Sequence, residues 1–153
     1  MQIIHYGDIL ENVKDSALIV HGCNARGKMS KGIALSIKQK YHQAYKDYME
    51  MYNVRGLQLG QVVFSNVTNF LFIANAITQD KYWQPGDDKN IIYVDYDAVR
   101  SCFERVAKFA RQWNLPVHYP AIGAGLGGGD WNIINKIICE VLDGLEHHLW
   151  IFK

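Results

Sequence analysis

The chain has no long apolar run, no excess of one charge and no paired cysteine motif, and each absence excludes a class of protein. No hydrophobic stretch approaches the roughly 20 residues that cross a bilayer, and the first residues show no signal-peptide pattern. The formal net charge is +1, which gives no electrostatic case for a nucleic-acid or membrane-surface partner. The 3 cysteines are widely spaced without a C-x-x-C, so they predict neither a disulfide framework nor a zinc cluster. We therefore expect a cytoplasmic protein from a reducing compartment.

The length and composition predict one globular domain. The chain has 153 residues, of which 49% are hydrophobic and 20% are charged. A chain of this size can bury a sizeable core as a single unit, and no linker or low-complexity segment divides it. We expect a single domain over residues 1–153, acting as a monomer, with no metal and no cofactor.

Strand-like and helix-like patterns alternate along the chain. Apolar runs predict strands, and apolar residues at helical spacing predict helices. The predicted strands cover residues 3–6, 17–20, 61–66, 70–76, 117–122 and 149–152. The predicted helices cover residues 32–52, 93–113 and 130–145, and the first of them has a break near Tyr41. This alternation predicts an α/β fold of three layers, α/β/α, around a central mixed sheet. Ligands of such folds bind beyond the carboxyl ends of the strands.

Two glycine-rich loops lie at those strand ends. The first covers residues 21–32 and the second covers residues 123–129, and each follows a predicted strand and precedes a predicted helix. Glycine backbone at the start of a helix presents N–H donors and a positive dipole end to an anion. Two such loops in one small domain predict a phosphate-bearing ligand that is bound from two sides.

Each loop matches the consensus pattern of a familiar phosphate-binding motif, but neither has the other features that the motif requires. Residues 22–28 read G-x-x-x-x-G-K, but Met29 stands where a P-loop needs Ser or Thr for magnesium. Residues 123–128 read G-x-G-x-x-G, but too little chain follows for the second half of a dinucleotide-binding fold. The anion-binding backbone is what both motifs share, and it does not by itself identify the ligand.

The order of several short motifs resembles the macrodomain family, whose members bind ADP-ribose. The resemblance rests on Gly7-Asp8-Ile9 after the first strand, on residues 24–34 and 120–127, and on an aromatic residue in the last strand. The branch that it resembles most includes the ADP-ribose 1″-phosphate phosphatases, the terminal ADP-ribose glycohydrolases and antitoxins that remove ADP-ribose from DNA.

The resemblance implies a set of ligand-binding residues. Asp8 would accept a hydrogen bond from the adenine amino group, and the Ile9 backbone would contact the ring edge. Phe152 would pack on adenine, although an ordinary core position explains a phenylalanine equally well. Asn24 would face the distal ribose. The diphosphate would lie between the backbone of Lys31, Gly32 and Ile33 on one side and Gly123, Ala124, Gly125, Leu126 and Gly127 on the other.

The resemblance places catalysis on His21, Asn24 and Asp130. His21 could act as general acid or base, because an ordinary histidine pKa is near 6.5, or it could be a buried structural histidine. Asp130 could activate water, or it could cap the following helix. The glycohydrolase relatives carry a lysine after an Ile-Thr strand end and an aspartate in the second loop, whereas this chain has Gln79 and Gly127 there.

These departures favour metal-independent hydrolysis of ADP-ribose 1″-phosphate to ADP-ribose and phosphate. Two alternatives stay open. One is an ADP-ribosylhydrolase that removes ADP-ribose from protein or DNA, with ADP-ribosylated macromolecules as partners. The other is a protein that binds ADP-ribose without catalysis.

Overall fold

The computed structural model describes residues 1–152, which form six strands and five helices. In chain order these are β1 (Gln2–Tyr6), α1 (Ile9–Asn12), β2 (Ala17–Asn24), α2 (Gly32–Lys40), α3 (His42–Arg55), β3 (Val62–Thr68), β4 (Leu71–Gln79), α4 (Tyr96–Trp113), β5 (Val117–Tyr119), α5 (Trp131–Val141) and β6 (His147–Ile151). No helix in this described part is long and apolar enough to cross a membrane.

The strands form one mixed sheet in the order β1-β6-β5-β2-β4-β3. Every neighbouring pair is parallel except β3 and β4, which are antiparallel at one edge. One face of the sheet packs against α4 and α5, and the opposite face packs against α1, α2 and α3. The predicted three-layer α/β/α fold with a mixed central sheet is therefore confirmed.

Strand β2 is buried on both faces because its side chains alternate between the two layers of helices. Leu18 and Val20 belong to the core cluster with α4 and α5. Ile19 packs with α2, and Cys23 packs with Tyr48 of α3. This arrangement explains the continuous apolar run of the sequence, since a strand between two helical layers needs apolar residues at consecutive positions.

Several element boundaries differ from the sequence prediction. Strand β2 continues to Asn24, into the first glycine-rich loop, because its backbone pairs with β4 throughout. Strand β5 ends at Tyr119, immediately before Pro120, which lacks the N–H needed to continue a ladder. The predicted helix over 32–52 is broken at Tyr41, whose backbone (φ −125°, ψ 69°) is not helical, as the sequence indicated. Helix α5 ends at Val141, short of the predicted residue 145.

Candidate functional site

Two adjoining pockets form one cleft at the carboxyl ends of the parallel strands. The glycine pocket lies between the two glycine-rich loops, and its lining residues are Gly22, Cys23, Asn24, Lys28, Ser30, Lys31, Gly32, Ile33, Ala34, Gln79, Tyr82, Trp83, Pro120, Ala121, Ile122, Gly123, Gly125, Leu126 and Gly127. The aromatic pocket is lined by Gly7, Asp8, Ile9, Leu10, Gly32, Ile33, Ser36, Pro120, Trp150 and Phe152. Gly32, Ile33 and Pro120 line both pockets, so the cleft is continuous.

The Asn24 side chain organises the first wall of the glycine pocket. Its Oδ1 accepts a hydrogen bond from the Arg26 N–H at 2.9 Å, and its Nδ2 donates to the Lys28 carbonyl at 2.9 Å. From behind, the buried Tyr48 hydroxyl donates to the Asn24 backbone carbonyl at 2.6 Å and lies 3.1 Å from its Oδ1. Asn24 therefore lines the cleft, but most of its hydrogen-bonding capacity fixes the shape of the loop.

The second wall is a tightly folded glycine loop that is attached to the segment before α4. The Gly127 carbonyl accepts hydrogen bonds from the N–H groups of Tyr93 and Val94 at 2.8 and 3.1 Å. Within the loop, the Gly129 N–H donates to the Gly123 carbonyl at 2.8 Å. A Cβ atom on Gly127 would lie 2.7 Å from the Gly123 carbonyl oxygen, closer than real Cβ atoms approach. The loop therefore needs a glycine at position 127.

The glycine pocket has a positive lining. Lys28 and Lys31 are among its lining residues, and the first N–H groups of α2, beginning at Gly32, have no acceptor within the helix. The Lys31 ammonium lies 4.8 Å from the centre of the Trp83 ring and 3.4 Å from the Trp83 carbonyl oxygen. Among the described residues that line this pocket, none is Asp or Glu. The pocket is thus suited to a phosphate or another anion.

Asp8, Ile9 and Phe152 line the aromatic pocket together. The Asp8 carboxylate caps α1 by accepting the Leu10 N–H at 2.9 Å. Phe152 is 77% exposed, so it is not a core aromatic residue, and it lines the pocket together with Trp150. This end of the cleft offers aromatic rings and one carboxylate to a ligand.

The structure places His21 behind the cleft, and its side chain lines neither pocket. His21 is fully buried, and its Nε2 lies 2.6 Å from the Asn75 Oδ1. The Asn75 amide in turn donates to the Val63 carbonyl at 3.0 Å. Burial lowers the pKa of His21 to about 4, so the ring is neutral at physiological pH. The ring also lies 3.5 Å from the Sγ of Cys23, a residue that lines the glycine pocket. This geometry matches the structural alternative for His21.

Asp130 also lies outside both pockets. Its carboxylate accepts the Asn132 N–H at 2.9 Å as the N-cap of α5, and its own N–H donates to the Tyr96 hydroxyl at 3.0 Å. The capping alternative therefore describes what this side chain does in the structure.

Tyr82 and Trp83 lie outside the motifs from which the site is predicted. Both line the glycine pocket from the segment that follows β4. Two adjacent aromatic residues in an otherwise polar loop were the available signal, because exposed aromatics in a loop often mark a binding surface.

The fold and the cleft agree with the comparison to known protein families. A Macro domain family model matches residues 20–138, which is most of the chain. The protein therefore belongs to the macrodomain family.

Three relatives illustrate this membership. A solved structure of a protein of unknown function from Bacteroides thetaiotaomicron is 32% identical with a TM-score of 0.89, and the match covers 99% of this chain and 98% of that one. An uncharacterized 17.5 kDa protein of Enterobacteria phage T4 is 29% identical over 146 residues, 92% of this chain and 89% of that protein. A DNA ADP-ribosyl glycohydrolase of Thermus aquaticus is 24% identical over 151 residues, which cover 96% of this chain and 39% of that enzyme.

Proposed function

We propose that this protein binds ADP-ribose in the cleft and hydrolyses ADP-ribose 1″-phosphate to ADP-ribose and phosphate. The observation that carries the proposal is the glycine pocket, which lies between two glycine-rich walls and has Lys28 and Lys31 but no carboxylate residue among its described lining residues. Membership of the macrodomain family and the relationship to a DNA ADP-ribosyl glycohydrolase support ADP-ribose as the ligand.

In this proposal the ligand lies along the whole cleft. The adenine ring contacts Phe152 and Asp8 in the aromatic pocket. The diphosphate passes the start of α2, where N–H groups and the helix dipole favour negative charge, and contacts the loop 123–127 on its other side. The distal ribose lies beside Asn24, which places its 1″ position in the glycine pocket near Lys28.

The chemistry of a phosphate monoester fits the groups in this pocket. Phosphoryl transfer proceeds through a loose transition state, so catalysis depends mainly on positioning and on stabilising charge on the phosphoryl oxygens. Water forms the new bond to phosphorus, the bond from phosphorus to the 1″ oxygen breaks, and that oxygen leaves as the hydroxyl of ADP-ribose. Lys28, Lys31 and the N–H groups of α2 stabilise the phosphoryl oxygens. His21 has a positioning role behind the cleft, because its hydrogen bond to Asn75 of β4 helps to hold β2, and with it Asn24, in place.

The second candidate function is removal of ADP-ribose from a macromolecule, which the glycohydrolase relative favours. Hydrolysis of a glycosidic bond commonly uses a pair of carboxylates, and none lines the described glycine pocket. Gln79 replaces the lysine of glycohydrolase relatives. Where those relatives carry an aspartate, this chain has Gly127, and a side chain there would clash with the Gly123 carbonyl oxygen. These observations favour the phosphatase.

The decisive experiment is phosphate release from ADP-ribose 1″-phosphate by the purified protein, in ¹⁸O-labelled water and with EDTA present. We expect released phosphate to carry one ¹⁸O atom, because water attacks phosphorus. The Lys28→Met variant should release phosphate at least tenfold more slowly, whereas the matched surface variant Lys46→Met should resemble the wild type. Absence of phosphate at micromolar protein would contradict the phosphatase, and parallel incubations with ADP-ribosylated protein and DNA test the second candidate.

Ligand placement is tested separately by calorimetry with ADP-ribose. Asp8→Ala is expected to weaken binding about tenfold, because it removes a charged acceptor at the adenine end. Wild-type affinity in Asp8→Ala would contradict the position of adenine. Binding without turnover of any substrate would instead identify a non-catalytic ADP-ribose-binding protein.

A further inference from the structure

Three histidines and a tryptophan lie together on one face of the sheet, at the aromatic pocket. His118 of β5 pairs with His148 of β6, and His5 of β1 pairs with Trp150 of β6. His148 and Trp150 are two residues apart on the same strand, so all four side chains share a face. The two residues that flank His118 belong instead to the core cluster with α4 and α5 on the opposite face.

Trp150 is the member of this group that lines the aromatic pocket. It is partly buried, because it packs against the apolar cluster that includes Ile9 and Leu10, two residues of the same pocket. Phe152, by contrast, is 77% exposed. Trp150 therefore offers the more buried of the two aromatic rings in the pocket wall.

The Trp150 indole is held by contacts with two histidines. Its Nε1 donates a hydrogen bond to the His118 Nδ1 at 2.9 Å. The His5 ring stacks on it, with ring centres 4.3 Å apart and 15° between the ring planes. An indole N–H can only donate, so the His118 Nδ1 must be unprotonated. Burial lowers the pKa of His118 to about 4, so this acceptor is available at neutral pH.

His148 fixes both of these histidines. Its ring stacks on His118, with ring centres 4.2 Å apart and 6° between the ring planes. Its Nδ1 lies 2.8 Å from the His5 Nε2, and its Nε2 lies 2.8 Å from a carboxylate oxygen of Glu146. The contacts thus form a closed circuit from Trp150 through His118, His148 and His5 back to Trp150. A polar network in which the members satisfy one another makes the side chains that it contains more rigid.

We propose that His118 is a positioning residue for ligand binding, because its hydrogen bond keeps the Trp150 indole in the wall of the aromatic pocket. The part of the ligand that packs there is an aromatic ring. In the proposed function this ring is adenine, so the identity of the ligand rests on that function. A partly buried indole N–H needs an acceptor, so the loss of His118 favours other orientations of the ring and weakens the contact with the ligand.

The test measures ADP-ribose affinity by calorimetry and the kinetics of phosphate release. His118→Ala removes the acceptor, His118→Asn keeps an amide oxygen near the place of Nδ1, and Trp150→Phe keeps an aromatic ring without the N–H. We expect His118→Ala to weaken ADP-ribose binding about threefold to tenfold, the loss of one net hydrogen bond, and to raise KM with kcat unchanged. His118→Asn should stay within about twofold of the wild type. Adding His118→Ala to Trp150→Phe should change affinity by less than about twofold, because the hydrogen bond is already absent.

His147→Ala is the matched control on the opposite face of β6. The His147 Nδ1 lies 2.7 Å from the Tyr119 hydroxyl, and neither residue lines a pocket, so this variant loses stability but keeps its ADP-ribose affinity. If the wild type binds ADP-ribose and His118→Ala binds it equally well, the positioning role is overturned alone. The same follows if His118→Ala weakens binding as much in Trp150→Phe as in the wild type. If the wild type does not bind ADP-ribose, the proposed function fails and the positioning role fails with it.

Discussion

Gly127→Ala tests whether close backbone packing, rather than flexibility, explains the glycines of the second loop. The added methyl group would lie 2.7 Å from the Gly123 carbonyl oxygen and 3.0 Å from the Gly123 Cα. Residue 127 has little freedom to move away, because its carbonyl accepts two N–H groups, from Tyr93 and Val94. Overpacking of this kind costs roughly 1–3 kcal/mol of unfolding free energy. With a urea dependence of about 1–3 kcal/mol per molar, the unfolding midpoint should fall by about 1 M.

Gly125→Ala is the control in the same loop. A Cβ atom on Gly125 meets nothing within 4 Å, and its φ lies outside the left-handed region. Its unfolding free energy should stay within about 0.5 kcal/mol of the wild type or rise slightly, because alanine restricts the unfolded chain. Tryptophan fluorescence in a urea titration measures both variants. Equal midpoints for Gly127→Ala and Gly125→Ala would refute the packing argument.

Two further variants test the groups behind the cleft. Tyr48→Phe removes the hydroxyl that donates a hydrogen bond to Asn24. We therefore expect the unfolding free energy to fall by about 1–2 kcal/mol and ADP-ribose binding to weaken. Wild-type values in urea titration and calorimetry would contradict this. The His21 pKa is about 4 in the folded protein and near 6.5 unfolded, so the unfolded chain binds more protons between these values and stability falls as pH drops from 6.5 towards 4. One such histidine changes the unfolding free energy by up to about 1.4 kcal/mol per pH unit. His21→Gln should make the unfolding free energy depend less steeply on pH. Some dependence should remain, because burial also lowers the pKa of His118 and His147 to about 4. An unchanged pH dependence in urea titrations between about pH 4 and 6.5 would count against the assignment.

The layered fold was predictable because its strongest signals are local. The apolar run at residues 17–20 specifies a strand that is buried on both faces, and the amphipathic pattern of α4 specifies a helix and its buried face. The extension of β2 to Asn24 was not predictable in the same way. Glycine and asparagine, as in His21-Gly22-Cys23-Asn24, are typical of a loop, and this segment forms a strand here because β4 supplies hydrogen-bond partners across the sheet. That pairing is a tertiary contact, which overrides local preference.

The residues that line the cleft were easier to predict than the groups around its floor, and strand geometry explains the difference. The glycine-rich loops contribute mainly backbone, so their sequence motifs already describe what they offer to a ligand. A side chain on a strand depends instead on which face it occupies. His21 shares the face of Ile19 and Cys23, which pack against α2 and α3. It is buried and does not line the cleft, although its neighbours Gly22 and Cys23 do. The pairing of β2 with β4, a strand that is distant in sequence, shifts by one residue between Cys23 and Asn24. The sequence alone indicates that successive side chains of a strand point to opposite faces. Which face His21 occupies, and where the pairing of β2 and β4 shifts by one residue, follow only from how the strands pair.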